Sequence, residues 1–94
     1  SIDADHYGAT FSFRFGNTDE PVAQQSMRGI SERLKQDPND YLAIGDATTI
    51  ANRVRAYIAA GCSKFVLIPI ADGTKDLMDQ TERLIHEVVP QFEA

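Results

Sequence analysis

An α/β fold with parallel strands is predicted by three observations. The run Phe65-Val66-Leu67-Ile68-Pro69-Ile70 is almost wholly apolar, and a strand apolar on both sides belongs in a parallel sheet covered by helices on both faces. Just before it, Asp46 to Gly61 carries a complete helical signature, with a cap, an apolar stripe and a stop. Strand and helix patterns then alternate along the whole chain as β-α-β-α-β-α, the order that parallel sheets with crossover helices require. With 94 residues the chain forms a single domain, 1–94.

The elements follow in order. Ser1 to Gly8 is polar and turn-like. From Ala9 to Phe15 the residues alternate, with Phe11, Phe13 and Phe15 on one side and Thr10, Ser12 and Arg14 on the other. That period of two marks a half-buried strand whose phenylalanines form a core face. Gly16-Asn17-Thr18-Asp19 is a turn, from which Thr18 or Asp19 can cap a helix entered through Glu20 and Pro21. Ala23, Met27, Ile30 and Leu34 recur at helical spacing, with Gly29 inside weakening the helix by about 1 kcal/mol relative to Ala. Gln36 to Asp40 breaks it at Pro38, and Tyr41 to Ile44 is a short, weak strand.

Asp46 caps the second helix, where the helix dipole favours its charge. Ile50, Ala51, Val54, Tyr57 and Ile58 form the apolar stripe, and Gly61 supplies the left-handed stop. After the strand Phe65–Ile70, the turn Ala71-Asp72-Gly73-Thr74 opens a last helix that Pro90 closes. Its expected buried face carries Leu77, Met78, Thr81, Leu84, Ile85, Val88 and Val89.

Composition narrows the function classes. A net charge of −5 without a Lys/Arg cluster argues against a nucleic-acid or anionic-membrane partner. No apolar run approaches the ~20 residues of a membrane span, and no signal-peptide pattern opens the chain, so a cytoplasmic location is the expectation. The single cysteine, Cys62, makes no internal disulfide and reads as a packed thiol. No Gly-rich phosphate loop, metal-ligand spacing or nucleophile elbow occurs. The helix starts near Thr48 and Lys75 could attract an anion, but Asp46 and Asp72 put negative charge beside each, so structural caps are the better reading. His6 follows Asp3 and Asp5 in a polar turn. Arg14 is the one cation placed where an inward site would want it.

Gly45-Asp46, then Ile50-Ala51-Asn52-Arg53-Val54-Arg55-Ala56-Tyr57, then Ala60-Gly61-Cys62-Ser63-Lys64-Phe65-Val66-Leu67 resemble the C-terminal end of the bacterial luciferase-like flavin-dependent oxidoreductases. In that family a capped helix, an Ala-Gly stop and a short strand ending near Pro form the last turns of a (β/α)8 barrel. A final helix there ends in a pattern like Glu87-Val88-Val89-Pro90. The opening Ile2 to Gly8 is similar to a segment near the substrate side of some members. The resemblance implies a monooxygenase or hydride-transfer chemistry on a small organic substrate, with FMN or a deazaflavin coenzyme. It implies that His6, Tyr7 and Arg14 face the substrate side, and sets Pro69 and Ile70 at the strand end where barrel active sites lie. Where many relatives carry Arg, this chain has Ile68, which removes an anion contact.

A barrel of this kind takes ~250 residues. The chain therefore corresponds to a C-terminal portion, without the family's main flavin-binding strands and most of its catalytic residues. The expectation is a fragment that is not catalytic alone, holds no cofactor by itself, and has no assignable catalytic or metal residue. Three β-α units cannot close a barrel, so an open edge and an apolar face should remain. They would be covered by the rest of the barrel or by self-association. The alternatives are a small non-enzymatic α/β module that homo-oligomerises, and a compact enzyme or small-ligand binder that assembles a site across a dimer with Phe11, Phe13 and Phe15 as a platform.

Overall fold

The computed structural model describes residues 8–35, 37 and 41–93. Its elements are strand β1 (Gly8–Phe15), helix α1 (Pro21–Leu34), β2 (Leu42–Gly45), α2 (Ala47–Ala59), β3 (Lys64–Pro69) and α3 (Thr74–Arg83). A π-helical turn (Leu84–Val88) and a 3-10 turn (Val89–Phe92) follow. The class is α/β and the order is β-α-β-α-β-α, as the sequence predicts. All pairing is parallel, and the sheet order is β2-β1-β3. β1 is thus central: the first crossover leads to one of its sides and the second passes over it to the other. In a barrel wall each strand neighbours its predecessor; here β3 neighbours β1 rather than β2.

The two faces of β1 are packed differently. Phe11, Phe13 and Phe15 are at most 4% exposed and share a core with Ala43, Ile50, Ala51, Val54 and Val88. Phe11 stacks on Tyr57 at 5.6 Å, and Phe13 meets Phe15 edge-on at 6.2 Å. The phenylalanines form a core face, not a ligand platform. α2 lies over them as its stripe requires, with Ile50, Ala51 and Val54 buried, although Ile58 at the stripe's end is exposed. The Asp46 cap is formed: its carboxylate accepts the Thr49 amide at 2.9 Å. The helix stops at Gly61, whose φ of 99° is the left-handed geometry that glycine adopts without strain.

On the opposite face, α1 contributes Ile30, Val22 and Met27 to a smaller cluster with Leu42, Ile44 and Ile70. Pro21 begins the helix as predicted, but neither Thr18 nor Asp19 is its cap. Glu20 occupies that position, and its side chain makes no capping bond. α1 packs with Leu42, Ile44 and Ile70 and leaves the outer residues of β3 bare. Val66 is 57% and Ile68 48% exposed, so the strand expected to be buried on both faces is covered on only one. The physical reason is that α2 and the π turn Leu84–Val88 both pack on the phenylalanine side, which leaves α1 to cover the other.

The last helix also departs from the expected phase. Leu77, Met78 and Ile85 are exposed, whereas Asp76, Gln80, Leu84 and Val88, spaced by four, turn inward. Two of those four are polar because they serve the end of β1, described next. The helix does not run on to Pro90; it passes through the π turn, and Pro90 lies in the 3-10 turn.

Candidate functional site at the carboxyl ends of β1 and β3

The first crossover runs from β1 to β2 and the second runs back in the opposite direction to β3, so the carboxyl ends of β1 and β3 border a topological switch point. Ligand crevices of open parallel sheets lie at such points. The ladder between these strands ends with the Ile70 amide donating to the Phe13 carbonyl at 2.8 Å. Its next rung would join the Phe15 amide to the Ile70 carbonyl. That rung is missing, because β3 turns away toward α3, and two side chains replace it. Gln80, 5% exposed, accepts the Phe15 amide at 2.7 Å and donates to the Phe15 carbonyl at 3.1 Å. Arg14 Nη1 donates to the Ile70 carbonyl at 2.8 Å.

Arg14 does more than close the rung. It is 7% exposed overall, and four of its five N–H groups are taken. Besides the Ile70 carbonyl, Nη1 reaches Asp76 Oδ2 at 2.7 Å. Nε and Nη2 grip both oxygens of Glu20 at 3.0 and 3.1 Å, the bidentate geometry in which Arg binds a carboxylate most strongly. Each carboxylate has a further backbone donor. The Asn17 amide gives to Glu20 Oε1 at 3.0 Å, and the Asp72 amide gives to Asp76 Oδ2 at 2.8 Å. Gly16 makes the first arrangement fit, since a Cβ there would run into the Glu20 carboxylate.

These partners set the charges. Hydrogen bonds from Arg14, then from the Asn17 amide, hold the Glu20 carboxyl below its usual range. The Asp72 amide, then Arg14, does the same for Asp76. Hydrogen bonding to Glu20 raises Arg14 above its ordinary value against the opposing effect of burial. All three groups are therefore ionised near neutrality, and none is poised to take or give a proton there. The cluster offers no general base and no nucleophile; Arg14 holds the chain's own Glu20 and Asp76 carboxylates. Among the described residues no group of His, Cys, Asp and Glu is arranged to hold a metal ion.

Of the sequence-predicted site residues, Arg14 and Ile70 meet here, through the Ile70 carbonyl, while Pro69 lies in register with Phe13 on the other face of the sheet. Pro69 ends β3 half-buried, and Ile70 is buried behind it. His6 and Tyr7 lie outside the described residues. Sequence reasoning missed Glu20, Asp76, Gln80 and the role of Gly16. One signal was present: an arginine beside three core phenylalanines must bring its own carboxylates. His86 is exposed. The α2 start is occupied by its own Asp46 cap, whereas at α3 the N-cap is Gly73 and Asp72 contributes only its amide.

A second feature is an apolar cleft of about 240 Å³ between α2, β3 and the C-terminal turns. Its walls include Ile58, Phe65, Leu67 and Phe92, and Arg55 lies 5.2 Å over the Phe92 ring. No helix of the described residues is long and apolar enough to cross a membrane. Comparison of the chain with protein-family models, with curated proteins and with solved structures returned no match.

Proposed function

We propose that the chain is the C-terminal part of a luciferase-like flavin- or deazaflavin-dependent oxidoreductase or monooxygenase of the cytoplasm, acting on a small organic substrate and not catalytic by itself. The observation that carries this reading is the bare side of β3. It is an outer strand of a parallel sheet with Val66 and Ile68 exposed, and parallel strands are built to be covered on both faces. A barrel supplies both the missing neighbour and the missing cover. This reading requires the intact protein to pair its strands in barrel order, which differs from the β2-β1-β3 order of this chain.

The described residues do not fit a flavin. Arg14 is engaged by the chain's own groups, the α2 amides face the Asp46 cap, and no Gly-rich loop is present to cradle a phosphate. The flavin would be held by the other strands of the barrel, and no chemical step is assigned to this chain.

Titration with FMN and with a deazaflavin tests the proposal. The 94-residue chain should bind neither, while the chain extended through its upstream reading frame should bind one stoichiometrically. An upstream frame without further β-α units would overturn it. The same exposed Val66 and Ile68 favour a second reading, a non-enzymatic module that homo-oligomerises through β3. Light scattering addresses it: a stable oligomer without flavin binding supports it, and a monodisperse monomer refutes it.

A further inference from the structure

We propose that the Arg14 fork is a receptor for a small carboxylate ligand, and that the Glu20 carboxylate is its built-in, displaceable occupant. Three donors converge on this one carboxylate: Arg14 Nε, Arg14 Nη2 and the Asn17 amide, all within 3.1 Å. The fork keeps its aim without Glu20. The Arg14 side chain is nine-tenths buried, and Nη1 is fixed from behind by Asp76 and the Ile70 carbonyl. Glu20 sits on the solvent side, with its side chain about a third exposed. It starts α1 but caps nothing there, so its carboxylate serves only the fork and the Asn17 amide. Gly16 leaves the floor of the cradle as bare backbone, in space a Cβ would take.

Charge selects the ligand class. Asp76 already balances Arg14, so Glu20 is the surplus negative group. A monocarboxylate replaces it with no change in net charge and with the same planar, two-oxygen geometry. A phosphate dianion would bring a second negative charge toward Asp76. The position is the carboxyl ends of β1 and β3, where the direction of the crossovers reverses, and open parallel sheets bind ligands at such ends. A tethered occupant competes at a millimolar effective concentration. The intact chain therefore stays closed until a carboxylate is abundant or makes contacts beyond the fork. This inference does not depend on the oxidoreductase reading.

The test is a titration of the unmodified chain and Glu20→Ala with sodium acetate, against sodium chloride at matched ionic strength. The Asn17 amide and Arg14 Nε–H resonances report binding, and the melting temperature gives a second readout. Saturable acetate shifts at both resonances are expected in Glu20→Ala, with affinity at least about tenfold above that of the unmodified chain, as removal of a tethered competitor requires. Arg14→Lys added to Glu20→Ala should abolish the acetate shift of the Asn17 amide, the resonance that both variants retain. If Glu20→Ala does not fold, Glu20→Gln takes its place, because its uncharged amide is the weaker occupant. Shifts no larger than those with chloride, or equal acetate affinity with and without the Glu20 carboxylate, would overturn the proposal.

Discussion

Replacing Arg14 by Met keeps the aliphatic stem and removes the guanidinium that joins β1, the end of β3, α1 and α3. Three groups lose their partner. Taking one member from a fully buried ion pair costs about 3–5 kcal/mol. Asp76 and Glu20 have side chains 25% and 32% exposed, and both keep a backbone donor. Water therefore recovers part of the loss, leaving about 2 kcal/mol for the two carboxylates together. The Ile70 carbonyl, at a buried position, adds about 1 kcal/mol for an acceptor left unpaired. The expected total is about 3 kcal/mol, a large share of the roughly 5–14 kcal/mol available to a chain of this length. Urea unfolding followed by circular dichroism measures it, with the midpoint lowered and the slope unchanged. A loss under about 1 kcal/mol, or a gain, would show that desolvation of Arg14 cancels what its contacts contribute, and that packing alone holds these elements together.

Two further outcomes follow from the same cluster. Glu20 and Asp76 both have folded-state carboxyl pKa values below their unfolded ones. The folded state thus binds fewer protons, and the stabilisation is complete above about pH 5 and lost as pH falls through the unfolded carboxylate range near 4 toward the lowered values. The urea midpoint should drop over that window, and Glu20→Gln with Asp76→Asn should flatten the drop; an equally steep fall in the double variant would place the acid sensitivity elsewhere. Gly16→Ala should push the Glu20 carboxylate off the fork and cost about 1 kcal/mol, since a partly exposed charge-assisted pair is lost. The Asn17 amide resonance should move with it, and an unchanged resonance would show that Glu20 accommodates the methyl group.

Local patterns carried most of the fold. The alternation around Phe11, Phe13 and Phe15, the Asp46 cap and the Gly61 stop are each decided within a few residues by backbone geometry and burial, and each appears where the sequence places it. The phase of the last helix was not legible in the same way. Counting apolar residues favours Leu77, Met78 and Ile85, but the helix is turned by Asp76 and Gln80, whose partners lie more than sixty positions earlier at Arg14 and Phe15. A buried polar bond outweighs the exposure of a methionine, and its partner cannot be read from the helix itself. The same limit applies to the site. Arg14 stands out in the sequence, whereas Glu20 looks like an ordinary residue at a helix start. The incomplete cover of β3 was foreseeable from the number of elements; which residues would be bare depended on α1 lying over β2.

Pro69 gives the open side of β3 a polarity along its length. Ile70 donates inward to Phe13, so by alternation the outward-facing backbone positions are Phe65, Leu67 and Pro69. Two of them can donate a hydrogen bond and the third cannot. A strand arriving at this side finds both a donor and an acceptor beside Phe65 and Leu67, then only an acceptor beside Pro69. An added strand would therefore zip along the first half of β3 and come unfastened before the Arg14 end. The end of β3 nearest Arg14 therefore stays free of sheet pairing even when the rest of the edge is occupied.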